Sequence, residues 1–380
     1  MASVTSPFPL TSPRGTKDRL AFPDIARAVA LTGIVIMNYH AYLNGGMSRN
    51  PINPSVWEQL FNPITGVLTT RFAALFVTVA GVSVALMTQH KTADALESTK
   101  LVILRRGLLL ALVGGIFEWI WPGSILYYYG AYFLIGVWLI RARTWIIIAS
   151  ATVSAIAATA IQTWRVGQEF DGQSTGWLDP SYIDSPRELL LRTFVGYTHP
   201  VFPWFAFFCV GLIIGRYTPR LLQHRNKILM AATMCFVGAY ILREVVYQVA
   251  DDQTRIHLQL RSLASTDPFD RGLLYTISAA SIAVIAIVVI HDLCSRAATT
   301  SHWVHALQRI GQFTFTIYIG HALFFNLVVH RLKMVDSSGL DTALILSGVF
   351  MTLAVAIALW WTRIIGQGPV ERCYRWLTGT

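Results

Sequence analysis

Charge is what this chain has least of. Asp, Glu, Lys and Arg make up 13% of its 380 residues, 54% are hydrophobic and the mean hydropathy is +0.51. An ordinary soluble domain carries about 25% charged residues, so a soluble globular fold is excluded. The alternating segments of about ten residues that a membrane β-barrel requires are missing too. Cysteine is sparse: Cys209, Cys235, Cys294 and Cys373 stand apart, without metal-ligand or redox spacing. Neither a disulfide nor a metal site is expected. Residues 1–19 lack the apolar core and small-residue cleavage site of a signal peptide. With Pro7, Pro9, Pro13, Lys17 and Arg19 they read as a disordered cytosolic tail. No internal repeat and no soluble domain is visible, which leaves residues 20–380 as one membrane domain.

What the chain does have is long hydrophobic runs. Ten of them fall at 22–43, 63–88, 107–121, 124–140, 144–163, 199–215, 228–247, 272–291, 310–329 and 340–362. Most approach the length that crosses a bilayer, so the expected fold is all-α, a polytopic bundle of about ten transmembrane helices. With the N-terminus inside, the inner segments carry 18 Lys and Arg and the outer segments 9, while Arg27, Arg71 and Arg243 lie within spans. That bias predicts both termini in the cytosol. It also accounts for the net charge of +10 without nucleic acid, and favours anionic lipid heads and anionic cytosolic ligands. The longest outer loops are 164–198 and 248–271. In the first, Ser185-Pro186-Arg187-Glu188 has the N-cap, N1 and N3 residues of a helix start, and predicts a short amphipathic helix on the outer surface.

Polar residues inside such runs need a reason. In the first span Asp24 and Arg27 share a helix face, either as an ion pair anchoring the helix end or as a contact for an anionic cytosolic ligand. Arg27 and Asn38 fall within roughly 20° of one another and about 16 Å apart in depth. His40 points away from that face unless the helix unwinds at Asn38. Arg71 either snorkels to the outer surface or faces a water-filled cavity, and Glu118 is a possible partner for it. Tyr127, Tyr128 and Tyr129 suit an aromatic belt or a stacked sugar. His199 sits at the outer mouth, beside the interfacial anchors Tyr197 and Trp204. In the ninth span Thr314, Tyr318 and His321 recur at i, i+4 and i+7, a polar stripe that must face the bundle. It serves either an interhelical hydrogen-bond network or a site that moves a proton. On this topology Asn38, His40, Arg71, Glu118, Tyr127 and His199 lie in the outer half and most short cationic loops on the other side. That asymmetry suggests an anionic donor from inside and a hydroxyl-bearing acceptor from outside.

Asp24-x-x-Arg27 followed by Asn38 and Tyr39 resembles the first transmembrane segment of the transmembrane acyltransferase superfamily, which includes the lysosomal heparan-glucosaminide acetyltransferases, their bacterial relatives and the acyltransferase family 3 enzymes. Gly81-Val82-Ser83, Arg106-Gly107 to Gly115, Tyr128-Tyr129-Gly130, Phe202-Pro203-Trp204 to Gly215-Arg216 and Gly311 to His321 are similar to segments of the bacterial relatives, in the same order along most of the chain. The resemblance implies a bundle of ten or eleven helices that takes an acetyl group from cytosolic acetyl-CoA, as co-substrate, to a carbohydrate hydroxyl or amine across the membrane. In the lysosomal branch an Asn of the first segment lines the site and a His eleven residues later takes part in catalysis. Asn38 matches that Asn, but Arg49 stands where the His would be. In the family 3 branch a His follows the Arg with ten residues between them. Here that slot is Asn38, and His40 is displaced by two.

The expected activity is therefore O-acetyl transfer to a carbohydrate or glycolipid on the outer side, acylated trehalose of a mycolate-type envelope among the acceptors, in a bacterial plasma membrane. His40 and His321 are the candidate bases, His40 ranked first. Asn38, Tyr318 and Arg71 are candidate oxyanion donors. Arg71, Glu118, Tyr127 and His199 are the expected acceptor contacts, and Arg27 with Asp24, Arg105 and Arg106 the expected coenzyme contacts. Direct transfer and an acetyl-imidazole intermediate both fit. The expected partners are acetyl-CoA, the outer acceptor and the lipid bilayer, an oligomer being compatible with them. The alternatives are a transporter or flippase for a lipid-linked sugar and a non-catalytic membrane scaffold.

Overall fold

The computed structural model describes residues 20–43, 54–89, 91–296, 302–336 and 339–379. The expected tail at 1–19, and Arg49, lie outside the described residues. The described chain is helical and contains no strand. In order it forms α1 (Phe22–Leu43), α2 (Val56–Leu60), α3 (Arg71–Thr88), α4 (Ala93–Phe117), α5 (Leu126–Gly136), α6 (Thr144–Phe170), α7 (Pro186–Phe194) and α8 (Val201–Arg216). There follow α9 (Thr218–Gln223), α10 (Arg225–Val249), α11 (Arg255–Ala264), α12 (Leu273–Arg296), α13 (His302–Gln312), α14 (Thr314–Phe325), α15 (Leu340–Ile364) and α16 (Pro369–Thr378).

By length and apolarity five of these can cross a membrane: α3, α6, α10, α12 and α15. The sharply bent pair α13 and α14, the latter continuing to Arg331, makes up to six, and α5 with its continuation to Leu139, and α8, are shorter apolar helices. α1 and α4 are long but carry Asp24 and Arg27, and Lys100, Arg105 and Arg106. The outward stripe of α10, Met230, Met234, Val237, Ile241, Val245 and Val249, is exposed and apolar, as a lipid-facing surface requires.

Local sequence explains the element ends. Ser185 caps α7 by accepting the Glu188 N–H at 3.3 Å, while the Glu188 carboxylate takes the Asp184 N–H at 2.7 Å. The turn between α4 and α5 runs through Pro122 and Gly123, the latter at φ 79° where a side chain is disfavoured. The ninth span, expected as one helix over 310–329, is instead broken at Phe313, where α13 and α14 meet at 72°. The short helices α2, α9, α11 and α16 lie where no span was drawn.

α1 is buried along most of its length, packing against α3 and against α12 to α15. Small residues set the close contact between α3 and α8. Gly81 of α3 faces the Phe208 carbonyl of α8, and Gly211 of α8 faces the Thr78 carbonyl of α3. A Cβ at either position meets backbone, so only glycine allows the two helices to approach this closely.

Candidate active site

Because α1 stays regular to Leu43, Arg27 and Asn38 keep to one face, and each opens on a different cavity. The first cavity, about 700 Å³, has a cationic mouth formed by Arg27, Arg106 and Arg375, with Asp24 the one carboxylate among its described lining residues. Asp24 Oδ1 accepts from Arg27 Nη1 at 2.9 Å, and its other oxygen lies 3.3 Å from Gln312 Nε2. The second guanidinium nitrogen of Arg27 donates to Ser83 Oγ. Arg106 lies over the Tyr374 ring at 5.7 Å. Burial pushes the Tyr374 phenol up against the opposing pull of Arg106, so the ring faces that cation uncharged. Deeper in, Phe76, Ala80, Val84, Leu110, Leu126 and Phe133 make the wall apolar. The cavity thus combines three guanidinium groups with an apolar wall.

The second cavity, about 220 Å³, is lined by Asn38, Thr69, Thr70, Thr198 and His199 and by the rings of Tyr42, Phe72, Trp121 and Phe269. Tyr42 and Trp121 pack with centroids 4.1 Å apart and planes tilted by 32°. Backbone strain gathers around it: Thr70, Tyr197 and Arg271 adopt φ of 61°, 64° and 54°. Tyr275 Oη holds Thr70 Oγ1 at 2.7 Å, and Arg271 donates to the carbonyls of Val195, at 2.7 Å, and of Tyr197.

Tyr318 lines both cavities. Its Oη accepts the Ile125 N–H at 3.2 Å and lies 3.3 Å from Ser124 Oγ. One turn further along α14, His321 is fully buried against Tyr318 and Trp121. Its Nδ1 meets the Tyr318 carbonyl, which can only accept, so the ring proton sits on Nδ1. Nε2 therefore carries the lone pair, and Asn38 Nδ2 donates to it at 3.2 Å. Tyr39 Oη donates to the His321 carbonyl at 2.8 Å. The result is a neutral imidazole with its basic nitrogen held by an amide that itself lines the aromatic cavity.

The other residues expected at the site divide. His199 reaches the aromatic cavity and packs edge-on against Trp204 at 4.4 Å. His40 does not join Asn38: the helix does not unwind, and His40 Nδ1 bonds the Phe61 carbonyl at 2.8 Å, away from both cavities. Arg71 does not snorkel. It is 2% exposed, donates to the carbonyls of Thr69 at 3.3 Å and Thr266 at 3.1 Å and to Ser278 Oγ at 3.1 Å, and lies over the Tyr275 ring. It braces the strained turn whose Thr69 and Thr70 line the cavity, without lining it itself. Glu118 is not its partner; that carboxylate pairs with Arg192 of α7. Tyr127 turns to Thr193, with 2.6 Å between hydroxyl oxygens. Arg105 is exposed and off the cavity, while its neighbour Arg106 faces in. Ser83, Trp121, Tyr374 and Arg375 were not singled out from sequence. Only the amphipathic pattern of 369–378 hinted at the last two.

Residues 19–245 match the family model described as heparan-alpha-glucosaminide N-acetyltransferase, catalytic. Residues 218–380 match a second family, described as a protein of unknown function, DUF418. No curated protein matches the chain. Both cavities straddle the two matched regions, Arg27, Asn38 and Arg106 coming from the first and Phe269, Tyr318 and Arg375 from the second; His321 lines neither and is reached through Asn38 and Tyr318.

Proposed function

The chain belongs to the heparan-alpha-glucosaminide N-acetyltransferase catalytic family, and on that premise we propose that this multi-pass membrane acyltransferase moves an acetyl group from acetyl-CoA in the arginine cavity to a hydroxyl of a carbohydrate or glycolipid in the aromatic cavity. The observation that carries the proposal is that one side chain, Tyr318, walls both cavities. A shared wall lets a thioester and a hydroxyl meet, whereas a transporter needs a route through which its cargo passes. The excess of inner positive charge supports reading the arginine cavity as cytosolic and the aromatic cavity as opening on the opposite face, in what we take to be a bacterial plasma membrane.

The chemistry follows from the tautomer. The acceptor hydroxyl replaces Asn38 at His321 Nε2 and gives up its proton there as its oxygen attacks the thioester carbonyl. The freed Asn38 N–H and the Tyr318 hydroxyl donate to the oxyanion. Collapse breaks the C–S bond, the imidazolium returns the proton to the departing thiolate, and the products are the ester and free CoA. Positioned base catalysis contributes about 10²–10⁴-fold. Each oxyanion donor contributes roughly a hundredfold or more. Arg27 and Arg106, joined by Arg375, would hold the phosphates of the donor at the rim, and the apolar wall its uncharged arm.

The test is direct. Purified protein is expected to bind acetyl-CoA and to release CoA thiol faster when candidate neutral sugars and glycolipids are added. Absence of acetyl-CoA binding, or sugar movement in proteoliposomes without any acyl donor, would overturn the proposal.

A further inference from the structure

The break between α13 and α14 strips the first N–H groups of α14 of intrahelical acceptors. A residue 55 and 56 positions away supplies them. Glu371, in the first turn of α16, accepts the N–H groups of Phe315 at 2.7 Å and Thr316 at 3.0 Å through Oε1, and the Thr316 hydroxyl through Oε2. Thr316 Oγ1 in turn accepts the Val370 N–H at 3.2 Å, so the two helix starts are stitched together from both sides. An anion at this helix start is also favoured by the helix dipole. Tyr374 packs edge-on against Phe315 at 5.4 Å, and Arg375 adds its guanidinium to the rim of the arginine cavity. Trp376 and Leu377, on the far face of α16, are exposed.

We propose that α16 is a working wall of the donor site, in which Arg375 binds a phosphate of the acyl carrier and Glu371 is a positioning residue that fixes the register of α14, and with it Tyr318 and His321. The proposal rests on the arginine cavity being the donor site. Its logic is mechanical. α14 carries Tyr318 and His321 within two turns of its start, and a start released from Glu371 slides or frays the segment that aims both. Misplacement of reacting groups by about 1 Å can cost 10²-fold in rate. Arg375 acts separately, through the cavity that it lines.

The experiment uses the full chain in detergent with two probes: coenzyme A, and pantetheine, which shares the thiol arm and lacks the nucleotide phosphates. Binding of both, turnover of acetyl-CoA by hydrolysis, and the unfolding temperature are measured. Arg375→Ala is expected to weaken CoA about ten- to a hundredfold and to leave pantetheine unchanged, as loss of one charge-assisted contact predicts. Glu371→Gln is expected to lower kcat about tenfold or more with CoA affinity near that of the parent, and Glu371→Asp to recover part of the loss. CoA affinity unchanged in Arg375→Ala, or kcat, affinity and unfolding temperature falling together in Glu371→Gln, would overturn the inference while leaving the donor site standing. A parent protein that binds neither probe would overturn the donor reading, and this inference with it.

Discussion

Asn38 Nδ2 donates to His321 Nε2 at 3.2 Å, joining residues 283 positions apart. The Tyr318 carbonyl fixes the ring from the opposite side, so the lone pair of His321 points toward the one amide of α1 that lines the aromatic cavity. A base held in this way is poised and shielded until an acceptor hydroxyl displaces the amide.

His321→Ala should therefore lower acetyl transfer by about 10²–10⁴-fold, and Asn38→Ala by roughly a hundredfold. His40→Ala should change the rate by no more than a few-fold and cost about 1 kcal/mol of stability through the lost bond to Phe61. Rates for the three variants side by side decide it. A His40→Ala enzyme as dead as His321→Ala would restore His40 as the base.

Tyr318→Phe removes one oxygen and keeps the ring that borders both cavities. Transfer should fall about a hundredfold through kcat, with the KM for acetyl-CoA little altered. Tyr318→Ala should open the shared wall, and the check is acetyl-CoA hydrolysis without acceptor, which should rise relative to transfer.

Arg192 and Glu118 form an ion pair with side chains 7% and 13% exposed, and Arg192 also lies 3.8 Å from the Tyr197 ring centroid. Arg192→Ala leaves the Glu118 charge without its partner and should destabilise the protein by about 3–5 kcal/mol. Replacing both by Leu should recover much of that loss. Unfolding of the two single variants and the pair in detergent measures the coupling.

Gly211→Ala drives a methyl group into the Thr78 carbonyl across the α3–α8 contact. Backbone on both sides leaves no flexible neighbour to yield, so a loss of about 1–3 kcal/mol is expected. The same substitution at Gly238 on α10, where nothing lies within 4 Å, should leave stability the same or slightly higher. Parallel thermal unfolding of the two variants reads the difference.

Several site residues were legible in the sequence because lipid makes polarity costly. The Thr314, Tyr318 and His321 stripe had to turn inward: Tyr318 lines both cavities, Thr314 the first, and His321 meets Asn38 of α1. Arg27 and Asn38 shared a face by helical arithmetic alone, and that face meets both cavities. Other residues take places that no local pattern records. His40 ranked first because it stands two residues from the slot of the family 3 His, and since α1 stays regular it points away from Asn38 and bonds the Phe61 carbonyl. Glu118 took Arg192 rather than Arg71 because α7 folds back over the end of α4, a placement no local pattern records. α16 lay beyond the last apolar run and held too few apolar residues to register as part of a membrane site.

By itself the sequence determined the solvent, the helical class and the faces, because hydrophobic runs and the periods of three and four residues are properties of a single segment. Which imidazole holds its lone pair toward Asn38, which arginines share a cavity and which side chain lines both cavities were decided by tertiary structure alone. Those are relations between segments up to 283 residues apart in the chain. They exist only once the chain, broken at Phe313, has packed α14 against α1.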